Sequence, residues 1–474
     1  MTTPSGDENA MTELRPPIPE GAQQEIGVFG PQFRWVTIGM FLLVLLDAFV
    51  ALAVSTIMPT ISAELDGAGL YAFAFAGPVA VSVVGMVLAG IWSDRGNPRS
   101  ALFVSVVVFA AGLMVVALAP SMVVFVSGRL VHGLAGGAVT VALYVIVARI
   151  YPQALHARVF AAFATAWVIP SLVGPVIAGV LAETVGWRWV FLGVVALVLL
   201  AMPLIVPAMR VVHAPENRTR LGRPELARIG LAVLTASSAL VIALAAELRG
   251  PAQWLVPAFA AAAALIALRP LLPAGTLRGR RGLPSVVVER ALVAATFFAA
   301  EVYVPLLLVS HYGTSAAVAG LALTAAALSW SAASWLQGRF PATDHRMAAR
   351  LGTASLGFAV GCLLVTALAS ATPVVVVVGW AFAGAGIGLI YPRLGVLTLG
   401  YSDDTNQGFN SSALTIAEAT ASAIALAAMA IVFSMLGGTA STGSFAGVFV
   451  LAGVLCVFAW LCAPRIVPPS TASR

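Results

Sequence analysis

The chain has 474 residues, of which 60% are hydrophobic and only 9% are charged. A water-soluble globular protein typically carries about 25% charged residues, so this composition excludes a soluble fold of this size. The formal net charge of +6 would suggest nucleic-acid binding in a soluble protein, but here the arginines lie between apolar segments and are better explained by membrane topology.

Long apolar runs begin at residue 35 and continue almost to the C-terminus, separated by short polar segments. A helix of about 20 apolar residues crosses roughly 30 Å of hydrocarbon, and these runs have about that length or more. They lack the two-residue alternation of a membrane β-barrel strand. The sequence therefore predicts an all-α integral membrane protein embedded in a lipid bilayer.

Fourteen membrane-spanning helices are predicted along the chain. They lie near residues 35–57, 72–92, 101–119, 121–148, 159–182, 189–209, 229–246, 252–272, 291–311, 316–337, 350–370, 373–399, 408–435 and 444–463.

The spacing of these spans predicts five segments. They are a disordered cytoplasmic tail at 1–34, a six-helix bundle at 35–209, basic linkers with two inserted membrane helices at 210–290, a second six-helix bundle at 291–463, and a cytoplasmic tail at 464–474. Transporters with duplicated helical halves hold their substrate near mid-membrane between the two halves.

The distribution of arginine tests the number of spans. With a cytoplasmic N-terminus, 21 of the 25 arginines fall on the cytoplasmic side, two fall in outer loops, and two, Arg129 and Arg393, lie within spans. Basic residues are enriched in cytoplasmic loops of membrane proteins. The sequence therefore predicts that both termini lie in the cytoplasm, at the cytoplasmic membrane of a bacterium.

The loop after the second predicted span contains Gly90, Asp94, Arg95 and Arg99. Gly90 permits close approach of another helix, and the charged side chains can form a network that braces adjacent helix ends. The spacing resembles the Gly-x-x-x-Asp-Arg-x-Gly-Arg-Lys signature of the major facilitator superfamily, with the second glycine displaced to Gly96. We predict that this loop is a conformational latch; the alternative is ordinary positive-inside charge in a tight turn.

Two further motifs follow in the expected spans. Arg129 and His132 are similar to the superfamily's Arg-x-x-Gln-Gly motif, with histidine in place of glutamine. Gly174, Pro175 and Gly179 in the fifth span resemble its antiporter signature, Gly-Pro-x-x-Gly-Gly. Ordinary packing of small residues between membrane helices is the alternative explanation of this second motif.

Residues 187–191, which read Trp-Arg-Trp-Val-Phe, resemble the start of the sixth span in drug exporters. Together these resemblances identify the chain as a member of the superfamily's fourteen-span drug:proton antiporter branch. That membership implies two six-helix bundles of major-facilitator type plus two extra central helices.

Charged residues inside spans are candidates for function, because a charge at mid-membrane costs about 2.5–3.5 kcal/mol on insertion scales. The predicted spans retain the acids Asp47, Glu301 and Glu418, which lie 12, 10 and 10 residues after the predicted starts of their helices. At 1.5 Å per residue all three lie about 15–18 Å deep. We predict that at least one of them exchanges a proton during transport.

Arg129 and His132 complete the predicted proton-coupling group. Movement of Arg129 relative to Asp47 would switch the proton affinity of the carboxylate, and His132, three residues along the same helix face, would relay the proton. The alternatives are a static buried pair of Asp47 and Arg129, and helix-packing hydrogen bonds for Glu301 and Glu418.

Four aromatic residues of the second half are candidates to line a substrate cavity, namely Phe297, Phe298, Tyr303 and Trp330. They suit an amphipathic substrate, although such residues also face lipid. The five histidines are dispersed without the spacing of metal ligands, and no phosphate-binding Gly-rich loop with Lys-Ser/Thr is present. We therefore predict neither an enzyme nor an ATP-driven pump, and neither a cofactor nor a bound metal.

The function favoured by the sequence is proton-coupled efflux of drugs or other amphipathic small molecules, by alternating access of a monomer. A proton symporter for nutrient uptake, and an exporter of a lipid or a native metabolite, remain alternatives. The predicted partners are the small-molecule substrate, protons and the bilayer, without nucleic acid.

Overall fold

The computed structural model describes residues 27–67, 70–209, 222–244, 248, 250–314, 316–339, 344–369, 372–438 and 441–467. Most of the two predicted tails and of the first basic linker lie outside the described residues. Within the described ranges, the regular structure consists of α-helices and short 3-10 turns.

The helices follow one another along the whole of the described chain. They are α1 (Arg34–Glu64), α2 (Tyr71–Arg95), α3 (Pro98–Ala117), α4 (Met122–Ile150), α5 (Gln153–Thr165), α6 (Val168–Thr184), α7 (Arg188–Met209), α8 (Arg223–Leu244), α9 (Ala252–Leu268), α10 (Leu283–Glu301), α11 (Tyr303–Tyr312), α12 (Ala316–Arg339), α13 (His345–Ala369), α14 (Pro373–Gly400), α15 (Gln407–Met435) and α16 (Thr442–Cys462).

Each predicted span lies on one helix or on two consecutive helices. Thirteen segments of the described residues are long and apolar enough to cross a membrane. The helix α12, which was also expected to span, is not among these thirteen. The prediction of a multi-pass helical membrane protein is confirmed, whereas the number of fourteen spans stays a prediction.

Two of the predicted spans are broken helices, and each break lies four residues before a proline. Pro170 and Pro305 have no N–H to donate to the carbonyl oxygens of Ala166 and Glu301, so each removes one bond of the helical ladder. The regular helical hydrogen bonding is interrupted at Ala166 and Trp167 between α5 and α6, and at Val302 between α10 and α11, although these residues keep helical dihedral angles. Each of these spans therefore consists of two helices that meet within the membrane.

One helix boundary differs from its prediction in a way that matters for the site. The ninth span was expected to begin at residue 291, but α10 begins at Leu283. The difference arises because Glu289 and Arg290 look like the end of a polar linker in the sequence. In the structure both side chains are buried, with 0% and 6% of their surface exposed. Arg290, expected in the cytoplasmic linker, therefore lies in a segment that is long and apolar enough to cross a membrane.

Helix packing is similar in residues 27–209, the first half, and in residues 283–467, the second half. In the first half α4 packs against α2 and α3, and in the second half α14 packs against α12 and α13. Glycines allow this close approach. A Cβ on Gly112 of α3 would lie 2.6 Å from the backbone nitrogen of His132 in α4, and a Cβ on Gly386 of α14 would lie 2.5 Å from the carbonyl oxygen of Gly352 in α13.

The buried apolar residues form two large clusters. One is built from residues of the first half with Leu399, and the other mainly from residues 268–466 with Val83, Val87 and Ala232. The second cluster thus receives side chains from α2 and α8. The two halves share apolar contacts chiefly where α2 meets α15 and where α5 meets α12 and α14.

The inserted helices α8 and α9 pack against each other, and both also contact α15, while α8 lies along α2. They therefore cover one edge of the place where the two halves meet. We call the membrane side on which α2 and α4 end the basic side, because Arg95, Arg99, Arg149 and Arg158 lie there.

Candidate functional site

Asp94, the acid of the predicted latch, caps the first turn of α15. Its two carboxylate oxygens accept hydrogen bonds from the backbone N–H groups of Gly408 and Phe409, at 2.6 and 2.7 Å. The first N–H groups of a helix have no partner within it, and the helix dipole favours negative charge at that end. Because α2 belongs to the first half and α15 to the second, this contact holds the two halves together at the basic side.

Gly90 lies against the same turn of α15. A Cβ at this position would be 2.7 Å from the carbonyl oxygen of Gly408, closer than real Cβ atoms approach. Only glycine therefore lets the two backbones meet at this distance. Next to them, Arg149 at the end of α4 donates hydrogen bonds to the carbonyl oxygen of Asp404 at 2.7 Å and to the side chain of Gln407 at 3.1 Å.

Arg95, the second charge of the predicted latch, binds a residue of the inserted helices. Its guanidinium donates to the carboxylate of Glu225 in α8, which also accepts from the backbone N–H of Gly222. Glu225 is only 3% exposed. A cavity of about 200 Å³ lies beside this pair, between α2, α8 and the start of α15. The contacts of the predicted latch are therefore the cap that Asp94 places on α15, the close approach of Gly90 to α15, and the ion pair of Arg95 with Glu225. The inserted helix α8 supplies Glu225.

Arg99, the last residue of the predicted latch, follows the first residue of α3. Its backbone N–H donates to the side chain of Asn97, which caps α3. The described contacts thus give Arg99 a position at a helix start beside the latch, while Gly90, Asp94 and Arg95 make the contacts between helices.

A second contact between the halves joins α5 to α12. The hydroxyl of Ser331 donates to the hydroxyl of Thr165 at 3.1 Å, and Gly338 lies against the backbone of α5 near Arg158. The helix α5 is the part of the fifth predicted span nearest the basic side. The Asp94 contact and the contact of Gly338 with α5 lie toward the basic side, and the structure is closed there.

The structure brings Asp47, His132 and Arg129 together inside the first half. Nε2 of His132 lies 3.9 Å from Oδ1 of Asp47, and Nδ1 lies 3.4 Å from Nη1 of Arg129. The imidazole thus stands between the acid and the guanidinium, and its role as a proton relay stays a prediction. Arg129 and His132 are buried, whereas the Asp47 side chain is 35% exposed. Asp47 is therefore the most exposed member of this group.

Glu418 has different partners, in the second half. Nε of Arg290 in α10 donates to one carboxylate oxygen at 2.7 Å, and the hydroxyl of Tyr391 in α14 donates to the other at 3.2 Å. The guanidinium carbon lies 3.4 Å from the centroid of the Tyr391 ring. Tyr144 of α4 in the first half packs against the apolar cluster of the second half.

Glu301 is at the break between α10 and α11, and none of the contacts among the described residues joins it to Asp47. Because α10 begins at Leu283, Glu301 lies 18 residues from its helix start, whereas Asp47 and Glu418 lie 13 and 11 residues from theirs. At 1.5 Å per residue these distances are about 27, 20 and 17 Å. The three acids therefore lie at different distances from their helix starts, and their common depth in the membrane stays a prediction.

The aromatic candidates occupy one cluster of the second half. Phe297 is only 2% exposed and its ring is stacked on Trp380, with centroids 4.9 Å apart. Phe298 and Trp330 are partly exposed beside it, and Tyr303 is buried against Phe433. In this conformation Phe298 and Trp330 are the two of the four that keep exposed surface.

Gly174, Pro175 and Gly179 all lie in α6, the part of the fifth predicted span beyond the break. A Cβ on Gly174 would lie 3.6 Å from the ring of Phe49 in α1, which is an ordinary contact, and a Cβ on Gly179 would meet open space. The two glycines therefore do not allow a close helix crossing in this conformation. Their role as an antiporter motif stays a prediction.

The Trp-Arg-Trp segment at the start of α7 fastens the side opposite the basic side. Nε1 of Trp187 donates to Glu64 at the end of α1 at 2.8 Å, and Arg188 donates to Glu64 and to the carbonyl oxygen of Ala119. The hydrogen bonds from Arg188 and then Trp187 hold the pKa of Glu64 below its ordinary value of 4.5. These contacts join three helix ends of the same half.

Comparison with known families agrees with the motifs that the structure has placed. The sequence model of the Major Facilitator Superfamily matches residues 40–340, which is more than half of the chain. The chain belongs to the major facilitator superfamily. The matched region runs from α1 to the end of α12 and contains the latch, Asp47 and the inserted helices.

The relatives of this superfamily member include proteins named for drug efflux. It is 28% identical over 359 residues to a probable multidrug-efflux transporter of Mycobacterium tuberculosis strain H37Rv, covering 72% of this chain and 75% of that protein. It is 24% identical over 159 residues to multidrug resistance protein 3 of Bacillus subtilis, covering 33% and 31% of the two chains. The family and these relatives are transporters, which are not enzymes.

Solved structures of other superfamily members share the fold. The human organic anion transporter MFSD10 (TETRAN) matches with a TM-score of 0.63 at 18% identity, over 90% of this chain and 99% of that chain. The proton:xylose symporter XylE matches with a TM-score of 0.62 at 16% identity, over 91% and 96% of the chains. At these identities the likeness shows the fold alone.

Several residues of the site were missed in the sequence analysis. Glu225 and Arg290 were assigned to linkers because they lie near the ends of apolar runs, and Tyr144 and Tyr391 carry no sequence signal beyond being tyrosines in membrane spans. Glu289 was also missed. It is fully buried beside the thiols of Cys456 and Cys462. The sequence signal that could have indicated burial of Glu289 and Arg290 is that two adjacent residues of opposite charge lie at the edge of an apolar run.

Proposed function

We propose that the protein is a proton-coupled efflux antiporter that removes drugs or other amphipathic small molecules from a bacterial cell by alternating access. The observation that carries this proposal is the combination of a closed basic side with a partly exposed carboxylate, Asp47, inside the first half. A site that is closed on one side and contains a reachable acid can take up a proton from the other side.

In this proposal the chain spans the cytoplasmic membrane fourteen times, with both termini in the cytoplasm and the basic side facing inward. Residues 35–209 and 291–463 form two six-helix bundles that rock against each other, and α8 and α9 are carried between them. The matched packing of α4 and α14 in the two halves supports an internal repeat, which is a common plan in secondary transporters.

The closed contacts at the basic side explain how the latch would work. Asp94 caps a helix of the opposite half, so its hydrogen bonds exist only while the two halves meet. Hydrogen bonds to a charged group contribute about 1.5–3 kcal/mol each, and a buried carboxylate without them is costly. Opening to the cytoplasm would break them, so the latch stabilises the outward-open conformation.

The proton-coupling group supplies the link to substrate. We infer that Asp47 takes a proton from the outer side and that His132 and Arg129 respond to its charge, because the imidazole lies between the other two side chains. Glu301, Phe298 and Trp330 would contact the substrate in the central space. An acid and aromatic rings together suit an amphipathic cation, which rings bind through cation–π contacts.

The relatives named for multidrug efflux support export over import. A direct test measures ethidium, a fluorescent amphipathic cation, in energised cells that overproduce the protein. Cells should accumulate less ethidium than controls, and a protonophore should abolish the difference. Increased accumulation would instead favour a nutrient symporter, and an effect confined to other members of a substrate panel would favour a lipid or metabolite exporter.

Proton coupling is tested separately in inside-out vesicles with the variants Asp47→Asn, Glu301→Gln and Glu418→Gln. At least one should lose substrate-induced proton release while still binding ethidium. Glu183→Gln is the matched control, because Glu183 is an exposed acid at the end of α6 and should behave like the wild type. Unchanged coupling in all three intramembrane variants would reject the scheme.

A further inference from the structure

Three glycines lie within about one turn of α4, but contacts with α2 require only two of them. A Cβ on Gly133 or on Gly137 would lie closer to the carbonyl oxygen of Pro78 or of Ser82 in α2 than real Cβ atoms approach. Both of these glycines are buried, whereas Gly136 is partly exposed. Close packing of α2 and α4 therefore explains Gly133 and Gly137 and leaves Gly136 unexplained.

The space beside Gly136 is bordered by the carboxylate of Asp47. Among the described residues, the nearest atoms to a Cβ at this position would be Oδ1 of Asp47 at 3.4 Å and the ring of Phe109 at 3.9 Å, which are ordinary contact distances. The fold therefore has room for a small side chain at position 136. Glycine in the middle of a helix is less stable than alanine, so Gly136 lowers the stability of α4 without improving its packing.

A second polar group faces the same carboxylate oxygen. His132 precedes Gly136 by four residues, so both lie on one face of α4. Its Nε2 atom is 3.9 Å from Oδ1 of Asp47, which is too far for a hydrogen bond, and it has no hydrogen-bond partner among the described residues. The His132 side chain is nevertheless buried. Oδ1 of Asp47 thus faces both an unpartnered imidazole nitrogen and the position where Gly136 lacks a side chain.

We propose that Gly136 is a specificity-determining residue, which keeps a space beside Asp47 open for the cationic group of the substrate and limits how bulky that group can be. The inference rests on the efflux of amphipathic cations proposed above. A cationic group in this space would contact the partly exposed carboxylate of Asp47 directly. Arg129 does not occupy the space, because its Nη1 atom lies on the other side of the imidazole, 3.4 Å from Nδ1 of His132. A methyl group at position 136 would take up part of the same volume.

The test compares two cations that differ only in the bulk around the nitrogen, benzyltrimethylammonium and benzyltriethylammonium. Their dissociation constants are measured by displacement of ethidium from purified full-length protein in lipid nanodiscs, without a proton gradient, after the ethidium constant of each variant has been determined. Gly136→Ala should bind the trimethyl compound as the wild type does and the triethyl compound roughly tenfold more weakly, because the added methyl group overpacks the space. Gly136→Val should weaken the binding of both compounds.

Two control variants separate this space from helix packing. Gly137→Ala brings a Cβ against the backbone of Ser82 and should lower the unfolding temperature. Gly136→Ala should raise it, because alanine is the better helix former and no neighbouring atom has to move. Gly193→Ala is the matched control, since it makes the same change within helix α7 where a Cβ meets open space. It should leave the ratio of the two dissociation constants unchanged.

The outcomes distinguish this inference from the proposed function. If Gly136→Ala binds both compounds in the wild-type ratio, or unfolds at a lower temperature as Gly137→Ala does, the inference is overturned. If the ratio changes as expected but ethidium efflux is insensitive to the proton gradient, the role of Gly136 stands and the antiport proposal fails. If the wild type binds none of the three cations, the proposed substrate class and the role of Gly136 are both refuted.

Discussion

Replacement of Gly90 by valine should shift the protein out of the closed conformation without unfolding it. The Cβ alone would lie 2.7 Å from the carbonyl oxygen of Gly408 and 3.1 Å from Oγ of Ser412. These neighbours belong to α15 in the other half. One is a backbone carbonyl group and the other is a short serine side chain, so neither can move aside. Overpacking typically costs about 1–3 kcal/mol, which corresponds to a roughly 5- to 150-fold change in an equilibrium.

This clash exists only while the two halves are in contact. When the basic side opens, α2 and α15 separate and the valine is accommodated. The closed-to-open ratio should therefore fall by that factor, while the unfolding temperature changes little. The ratio is measured by the distance between spin labels on cysteines introduced at Ala154 on α5 and Arg339 on α12, both exposed, in protein whose three native cysteines are replaced by alanine. Ethidium efflux should fall because the transporter returns to its closed state less often.

Two other glycine variants serve as matched controls. Gly128→Val introduces a comparable clash within one half, since its Cβ would lie 2.8 Å from the backbone nitrogen of Val116. It should lower the unfolding temperature but leave the closed-to-open ratio unchanged. Gly193→Val points into open space and should change neither. If Gly90→Val lowers stability as Gly128→Val does and leaves the ratio unchanged, the assignment of Gly90 to a contact between moving halves is wrong.

Three shorter predictions follow from the latch and the opposite side. Asp94→Asn should lengthen the spin-label distance, because a neutral amide offers one acceptor oxygen in place of two charged ones; an unchanged distance would exclude Asp94 as a cap that holds the halves. Arg95→Glu and Glu225→Arg should each impair ethidium efflux, and the double variant with reversed charges should recover most of it; failure to recover would mean that the ion pair to the inserted helix is not what matters. Glu64 has a lowered pKa, so its ion pair with Arg188 stabilises the fold above the ordinary value of 4.5 and is lost as pH falls through the lowered value. The difference in unfolding temperature between wild type and Glu64→Gln should therefore shrink on acidification below pH 4.5, and it should be small at neutral pH, since exposed pairs contribute only about 0–1 kcal/mol.

The parts of the site that could be predicted are those encoded by local spacing. Asp94 and Gly90 lie one helical turn apart, and Arg129 and His132 lie three residues apart on one helix face, so their neighbourhoods follow from helix geometry. The structure places Asp47 beside His132, an arrangement that the sequence suggested through intramembrane charges alone. The helical membrane fold was also predictable, because apolar runs of sufficient length have few alternatives in a bilayer.

The partners of Glu418 and Arg95 could not be predicted, because each lies about 130 residues away along the chain. Nothing local distinguishes Arg290 or Glu225 from the many arginines and acids at membrane-facing helix ends. The position of α10 was misjudged for the same reason. Charged residues at the edge of an apolar run look like a loop unless a distant residue of opposite charge allows their burial.

The amino-acid sequence by itself thus determined the environment of the protein, the approximate positions of most of its helices and the motifs at their ends, since hydropathy, helical periodicity and proline act over a few residues. Only the tertiary structure decided which charges meet inside the membrane and which side of the protein is closed. A charged side chain stays buried only where the fold brings a partner next to it. In this protein the partners are on helices that are far apart in the sequence, so they meet only when the helices pack.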